Sequence, residues 1–223
     1  MRYSGTDSPI LSNMSSKELN DRFSALEDHI AELLIRYIDT HKDPMEHPSD
    51  YSLDVHSFCI LSHAAFEEFI EDVTLYSVDR IESEFKGNPR KFSYATLCLL
   101  HFDDHQKSIN DESQWPDIFN DYLLKRISER KSELSRYAMQ ENHGIDIKYL
   151  RKLLQPIGIE VPRNPNETSA LAQLKSIRGA YAHSYARNPR PISPEDAEKI
   201  VYDVLGMVKR IKDKAIHMSN YLV

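Results

Sequence analysis

Glycine is scarce, with 6 residues in 223, and no G-x-x-x-x-G-K-[ST] loop occurs to cradle a nucleotide phosphate. The nucleophile turn G-x-S-x-G and paired C-x-x-C motifs are also missing, which leaves serine hydrolysis and zinc-ribbon chemistry without a basis. Two cysteines, Cys59 and Cys98, cannot build a disulfide framework, so a reducing cytoplasm is expected. No run approaches the ~18 consecutive apolar residues of a membrane span. The opening residues Met1 to Ser8 lack an apolar signal region, so no membrane partner is expected. Positive charge is not in excess either: 28 Lys and Arg stand against 35 Asp and Glu, a net charge of −7. A negative chain disfavours polyanion binding by its surface as a whole, so any such site must be local. What is present is an ordinary globular balance, 40% hydrophobic and 28% charged. That excludes a mostly disordered chain.

Apolar residues recur at helical spacing almost throughout. Residues 1–14 have no such period and read as a flexible N-terminal tail, leaving 15–223 as a single helical domain. Ser15 and Glu18 form a capping box, and Leu19, Phe23, Leu26, Ile30 and Leu33 carry a first helix to about Thr40. Pro44 and Pro48 predict a loop from His41 to Tyr51. The period resumes from about Leu53 to Glu84 in a wide stripe, which predicts a central helix. Tyr94 to Phe102 is short enough to be a strand, but no second alternating run exists to pair with it. A third long helix starts near Pro116 and runs to Tyr137, and Gly144 closes that region. A short helix spans Ile147 to Leu154. Further helices run from about Thr168 to Tyr185 and from Pro194 to about Asn220, the last opened by Ser193 as N-cap. The expected fold is all-α, a bundle of long antiparallel helices with additional short ones.

The chemically suggestive segment lies between Arg163 and Arg190. Arg163, Lys175, Arg178, Arg187 and Arg190 face one acid there, Glu167, a local excess of positive charge in a negative chain. Tyr181, His183 and Tyr185 interleave with these cations, as expected where phosphates and a base dock together. Helical projection at ~100° per residue puts Leu171, Leu174, Arg178, Tyr181 and Tyr185 on one stripe facing the bundle. His183 falls about 140° away, among the small residues Ala172, Ser176, Gly179 and Ala180. On a regular helix Arg178 and His183 therefore point apart. Either the helix opens near Gly179 or a second copy of the chain completes the site.

Arg178-Gly179-Ala180-Tyr181-Ala182-His183 resembles the R-x4–6-H motif of the HEPN superfamily of all-α domains. His143-Gly144-Ile145 to Gly158-Ile159, and Ala64 to Ile70 on the second helix, are similar to its RiboL-PSP-type branch. The resemblance implies a metal-independent endoribonuclease, a toxin or antiviral defence effector, assembled as a homodimer with both motifs at the interface. It implies no cofactor and no metal. Its implied partners are RNA and a neutralising antitoxin or regulatory protein. His183 would be the acid or base and Arg178 the clamp on the phosphoryl oxygens. Lys175, Arg187 and Arg190 would hold flanking phosphates, with Tyr181 and Tyr185 stacking on bases or packing. Many active members carry Asn, Asp or His directly after the Arg, where this chain has Gly179. The alternative is an inactive HEPN module that binds RNA or a partner and regulates.

Other constellations have simpler readings. His56, Cys59, His63 and Glu67 have metal-ligand spacing, and with His101 and His105 could line a mixed site, but a wide buried helix face explains them better. The acid-rich run Glu67, Glu68, Glu71 and Asp72 reads as a solvated or ion-paired flank; the alternative is that Glu68, which borders the apolar stripe, orients the motif Arg. Trp115 reads as a loop anchor. Lys209, Arg210, Lys212 and Lys214 complement the end of the last helix.

Overall fold

A computed structural model describes residues 14–41, 43, 45–89, 92–101, 115–141, 144–183 and 191–218, with backbone alone at 115–120 and 181–183. Among these residues the chain is all-α, with no strand. Helix α1 is Ser16–Tyr37, α2 is Pro48–Gly87, α3 is Tyr94–His101, and α4 is Trp115–Arg136, which widens into a π turn at Tyr137–Glu141. Then follow α5 at Ile147–Leu154, a 3-10 turn at Gln155–Ile157, α6 at Pro165–His183 and α7 at Pro194–His217.

The caps are where the local sequence puts them. The Ser15 hydroxyl accepts from the Glu18 amide at 3.1 Å, and the Ser193 hydroxyl from that of Asp196 at 3.1 Å. Each satisfies a backbone donor that the helix itself leaves orphaned. Pro48, expected within a loop, and Pro165, ahead of the expected start of its helix, each begin a helix. Pro48 opens α2, with the His47 ring accepting from the Ser49 amide, so the loop ends before Tyr51. Pro165 opens α6 three residues ahead of the expected Thr168. Proline lacks only the amide that a first-turn residue cannot use, and its fixed φ already suits the helix. The short apolar segment from Tyr94 is helix rather than strand, in keeping with its lack of a pairing partner. Trp115 begins α4 on its backbone rather than standing in a loop. The expected ends of α6 at Tyr185 and α7 at Asn220 lie outside the described residues, as does the N-terminal tail except Met14, which is buried against the core.

Helix α2, 40 residues and about 60 Å long, is the axis of the molecule. It packs against α1, α4, α6 and α7, and one continuous core joins Met14 to Met218. Cross-links at both ends set the helix directions. Arg22 of α1 pairs with Asp72 at 2.6 Å, while His41 beyond the end of α1 meets Asp54 at 2.9 Å, so α1 and α2 run antiparallel. Glu167 at the start of α6 pairs with Arg210 late in α7. The apolar stripe of α6, formed by Ala170, Leu171, Leu174 and Ile177, is buried, and Arg178 follows at its edge. That register delivers the guanidinium to the seam between α6 and α2.

Candidate active site

Three segments meet around Arg178. Helix α2 contributes His63 and Glu67, one turn apart on the same face, and α6 contributes Lys175 and Arg178. The stretch Gly144–Asp146, which leads from the π turn into α5, closes over them.

Glu67 Oε2 lies 3.9 Å from Arg178 Nη2 and 3.9 Å from His63 Nδ1. The Glu67 side chain is 16% exposed and that of Arg178 is 42% exposed, so the pair spans the border between core and solvent. The alternative role for Glu68, orienting Arg178, falls to its neighbour Glu67. Glu68 instead lies on the neighbouring face of α2, beside Arg22, His29 and Asp72 at the α1 seam. One residue turns the side chain by ~100°, enough to move it from one neighbouring helix to another.

Gly144 makes the arrangement sterically possible. Its φ is +144°, and a Cβ there would lie 3.0 Å from Arg178 Nη1 and 3.4 Å from His63 Cε1. A bare backbone is needed to approach both side chains at once. Next to it, Asp146 caps α5 by accepting from the Tyr149 amide at 2.7 Å and pairs through its other oxygen with Lys175. Burial alone would raise the Asp146 pKa, but Lys175 and the Tyr149 amide outweigh it and hold the carboxyl below its usual range. Asp146 therefore fastens α5 to α6 one turn before Arg178.

His63 is buried. Loss of solvent and the adjacent Arg178 cation lower its pKa to about 4, and the Ile145 backbone and Asp146 carboxylate only partly oppose this. The imidazole is neutral at pH 7 and supplies a fixed dipole beside the guanidinium without competing for the Glu67 carboxylate.

The other sequence-derived candidates divide into two groups. Arg178 and Lys175 come together on one side of α6, Lys175 engaged with Asp146. His183 ends α6 on a continuous helical backbone, so the helix does not open at Gly179. The side chains of Tyr181 and His183, and all of Tyr185, Arg187 and Arg190, lie outside the described residues. His56, Cys59 and His63 are buried core residues, and burial pushes the Cys59 thiol up to about 12. No group of three or more metal-ligating side chains forms among the described residues, and His101 is exposed while His105 lies outside them. Sequence reading missed Glu67, Gly144 and Asp146 as parts of the site. The available signal was the four-residue step from buried His63 to Glu67.

A long central helix, a motif helix packed on it and a short helix inserted before the motif define a HEPN-type fold. The family model described as RiboL-PSP-HEPN matches residues 17–217, and the chain belongs to that family. Comparison with curated proteins and with solved structures gives no significant match. HEPN domains are often ribonucleases, which ties the fold to RNA-directed chemistry at a coarse level. Among the described residues no helix is long and apolar enough to cross a membrane.

Proposed function

We propose that the chain is a metal-independent endoribonuclease of the HEPN type, acting as a toxin or antiviral effector, with Arg178 and His183 as its catalytic residues. The observation that carries the reading is the Arg178 guanidinium, backed by Glu67 at 3.9 Å, threaded past Gly144 and left 42% exposed at the end of an unbroken helix. Its half-exposed guanidinium lies where a substrate phosphate can approach, with the Glu67 carboxylate behind it.

In the reaction the ribose 2′-oxygen attacks phosphorus and the bond to the 5′-oxygen breaks, leaving a 2′,3′-cyclic phosphate and a 5′-hydroxyl. His183 takes the 2′-proton or gives one to the departing 5′-oxygen. Arg178 stabilises the charge that builds on the equatorial oxygens. Glu67 is a positioning residue and touches no reacting atom. Lys175, Arg187 and Arg190 bind flanking phosphates, and Tyr181 and Tyr185 stack on bases. RNA is the substrate, and an antitoxin or regulatory partner would hold the activity in check.

The test is expression of wild type and His183→Ala side by side, scoring growth and the integrity of total RNA. Toxicity and RNA breakage with wild type alone are expected. Glu67→Gln should lower kcat by about 10–100-fold through misplacement of Arg178, with little change in stability, because a half-exposed ion pair contributes at most about 1 kcal/mol. Equal, harmless expression of wild type and His183→Ala would turn the reading to the inactive regulatory module.

A further inference from the structure

A second feature lies along α5, beyond its N-cap at Asp146. An open groove of about 760 Å³ runs between α3, α5, the loop after the 3-10 turn, and the first turn of α6. Its floor is apolar, with Ile147, Ile159, Val161 and Pro162. Its rim carries Tyr94, Arg151 and Arg163. Tyr94 is 49% exposed, leaving its ring open to solvent at the rim. Its position is set by Gly158, whose φ of +75° turns the chain sharply and whose missing Cβ would lie 3.1 Å from the ring. Cys98, one turn after Tyr94 on α3, also lines the groove.

The charges are arranged to suit an anion. Arg163 is 88% exposed and only loosely paired with Glu160 at 3.7 Å, a surface contact of little worth. Lys214 of α7 reaches the Glu160 carbonyl at 3.3 Å and adds a further cation beside this rim. Arg151 is exposed on α5, and Lys148 and Lys152 on the same helix are exposed as well. Glu160 is the one acid lining the groove among the described residues. Cations beside an exposed ring, over an apolar floor, match a single strand that offers phosphates and a base face in turn. Thr168 at the groove end and Arg178 lie ten residues apart on α6, about 15 Å along its axis. A few nucleotides span that distance.

We infer that the groove of Tyr94, Arg151 and Arg163 is an accessory binding site for single-stranded RNA, holding the substrate a few nucleotides from the scissile phosphate. The inference rests on the RNA-directed reading of Arg178. It assigns substrate contacts to α3, α5 and the loop at 158–163, away from Lys175 and the motif itself. One base stacks on Tyr94, and Arg151 and Arg163 hold the phosphates beside it.

Cys98 permits a direct test. The chain has only two cysteines, and Cys59 is buried with its thiol pushed up to about 12, so a thiol reagent on the folded chain reports Cys98. The probe is a single-stranded 2′-O-methyl RNA oligonucleotide, which cannot supply the attacking hydroxyl. It should slow alkylation of Cys98 several-fold in both wild type and His183→Ala. Tyr94→Ala should weaken binding about tenfold. Arg151→Ala and Arg163→Ala should each flatten the slope of log affinity against log salt by about 0.7. Binding that leaves Cys98 alkylation unchanged, with affinity and salt slope unaltered in the three variants, would overturn the groove while leaving the ribonuclease reading intact. Groove-dependent binding by a wild-type chain that leaves unmodified RNA whole would keep the groove and remove the nuclease. Absence of binding at low salt would overturn both.

Discussion

His63 and His41 show how the same side chain takes opposite roles in one molecule. His41 sits between Asp54 at 2.9 Å and Glu46 at 2.8 Å, and the hydrogen bond to Asp54, then that to Glu46, raises its pKa. Its contribution to stability is complete below the unfolded value near 6.5 and fades as pH rises through the raised folded value. His63 behaves in reverse. Burial and Arg178 lower its pKa from 6.5 to about 4, so between those values the unfolded chain binds a proton that the folded chain refuses. Stability then falls as pH drops from about 6.5 to about 4, by about 3 kcal/mol if the full shift is expressed. Asp146, whose carboxyl is held below its usual 3.8, adds its own loss only below that range, as pH falls from 3.8 through its lowered folded value. His63→Gln cannot take up the proton and should show a flatter dependence of the urea midpoint on pH over that interval. Parallel slopes for variant and wild type would show that His63 is not the titrating group.

At the scale of elements, α2 and α6 divide the work. Helix α2 is a rigid axis that carries the acid and the buried imidazole, while α6 presents the arginine at the edge of its apolar stripe. A π turn at Tyr137–Glu141 ends α4 shortly before Gly144. Such turns recur near functional sites. The outer face of α6 has a different character. Ala172 and Ser176 are exposed, and a Cβ built on Gly179 meets nothing within 4 Å. Glycine there carries the backbone-entropy cost of a helix interior without a packing need inside this chain. Gly179→Ala should therefore raise the stability of the chain by about 0.5–1 kcal/mol, read as a higher midpoint in denaturant. A lower midpoint would mean that a close contact on this face contributes to stability and leaves no room for a methyl group.

For the whole molecule the open question is the second copy. Arg178 and His183 are five positions apart on an unbroken helix, so they lie about 140° apart around its axis. We propose that a twofold homodimer brings the exposed small-residue faces of two α6 helices together, so that each site uses both chains. Arg178→Ala and His183→Ala subunits, each inactive alone, should recover part of the wild-type rate when mixed, because a mixed dimer retains one intact pair. The readout is cleavage of a fluorogenic RNA across the mixing ratio, with light scattering to follow the dimer. A fully active monomer at micromolar concentration would exclude the shared site.

Much of the architecture is legible in the sequence because it rests on neighbours along the chain. Caps such as Ser15 and Ser193, and the apolar period of α1, α2 and α7, arise from contacts within about four residues. The R-x4-H spacing is local in the same way, so the motif and its family could be read before any fold was known. Pro48 and Pro165 were harder, since a proline breaks one helix and starts another with the same ring, and only the surrounding packing selects between them. The choice of Glu67 over Glu68 was beyond local reading altogether. It depends on the rotation of α2 against α6, and therefore on how two distant apolar stripes interlock. The close approach of Gly144 to Arg178, the grip of Asp146 on Lys175 and the groove beside Tyr94 share that origin. Each joins segments far apart in sequence, and side-chain packing between helices, rather than propensity within them, brings those segments together.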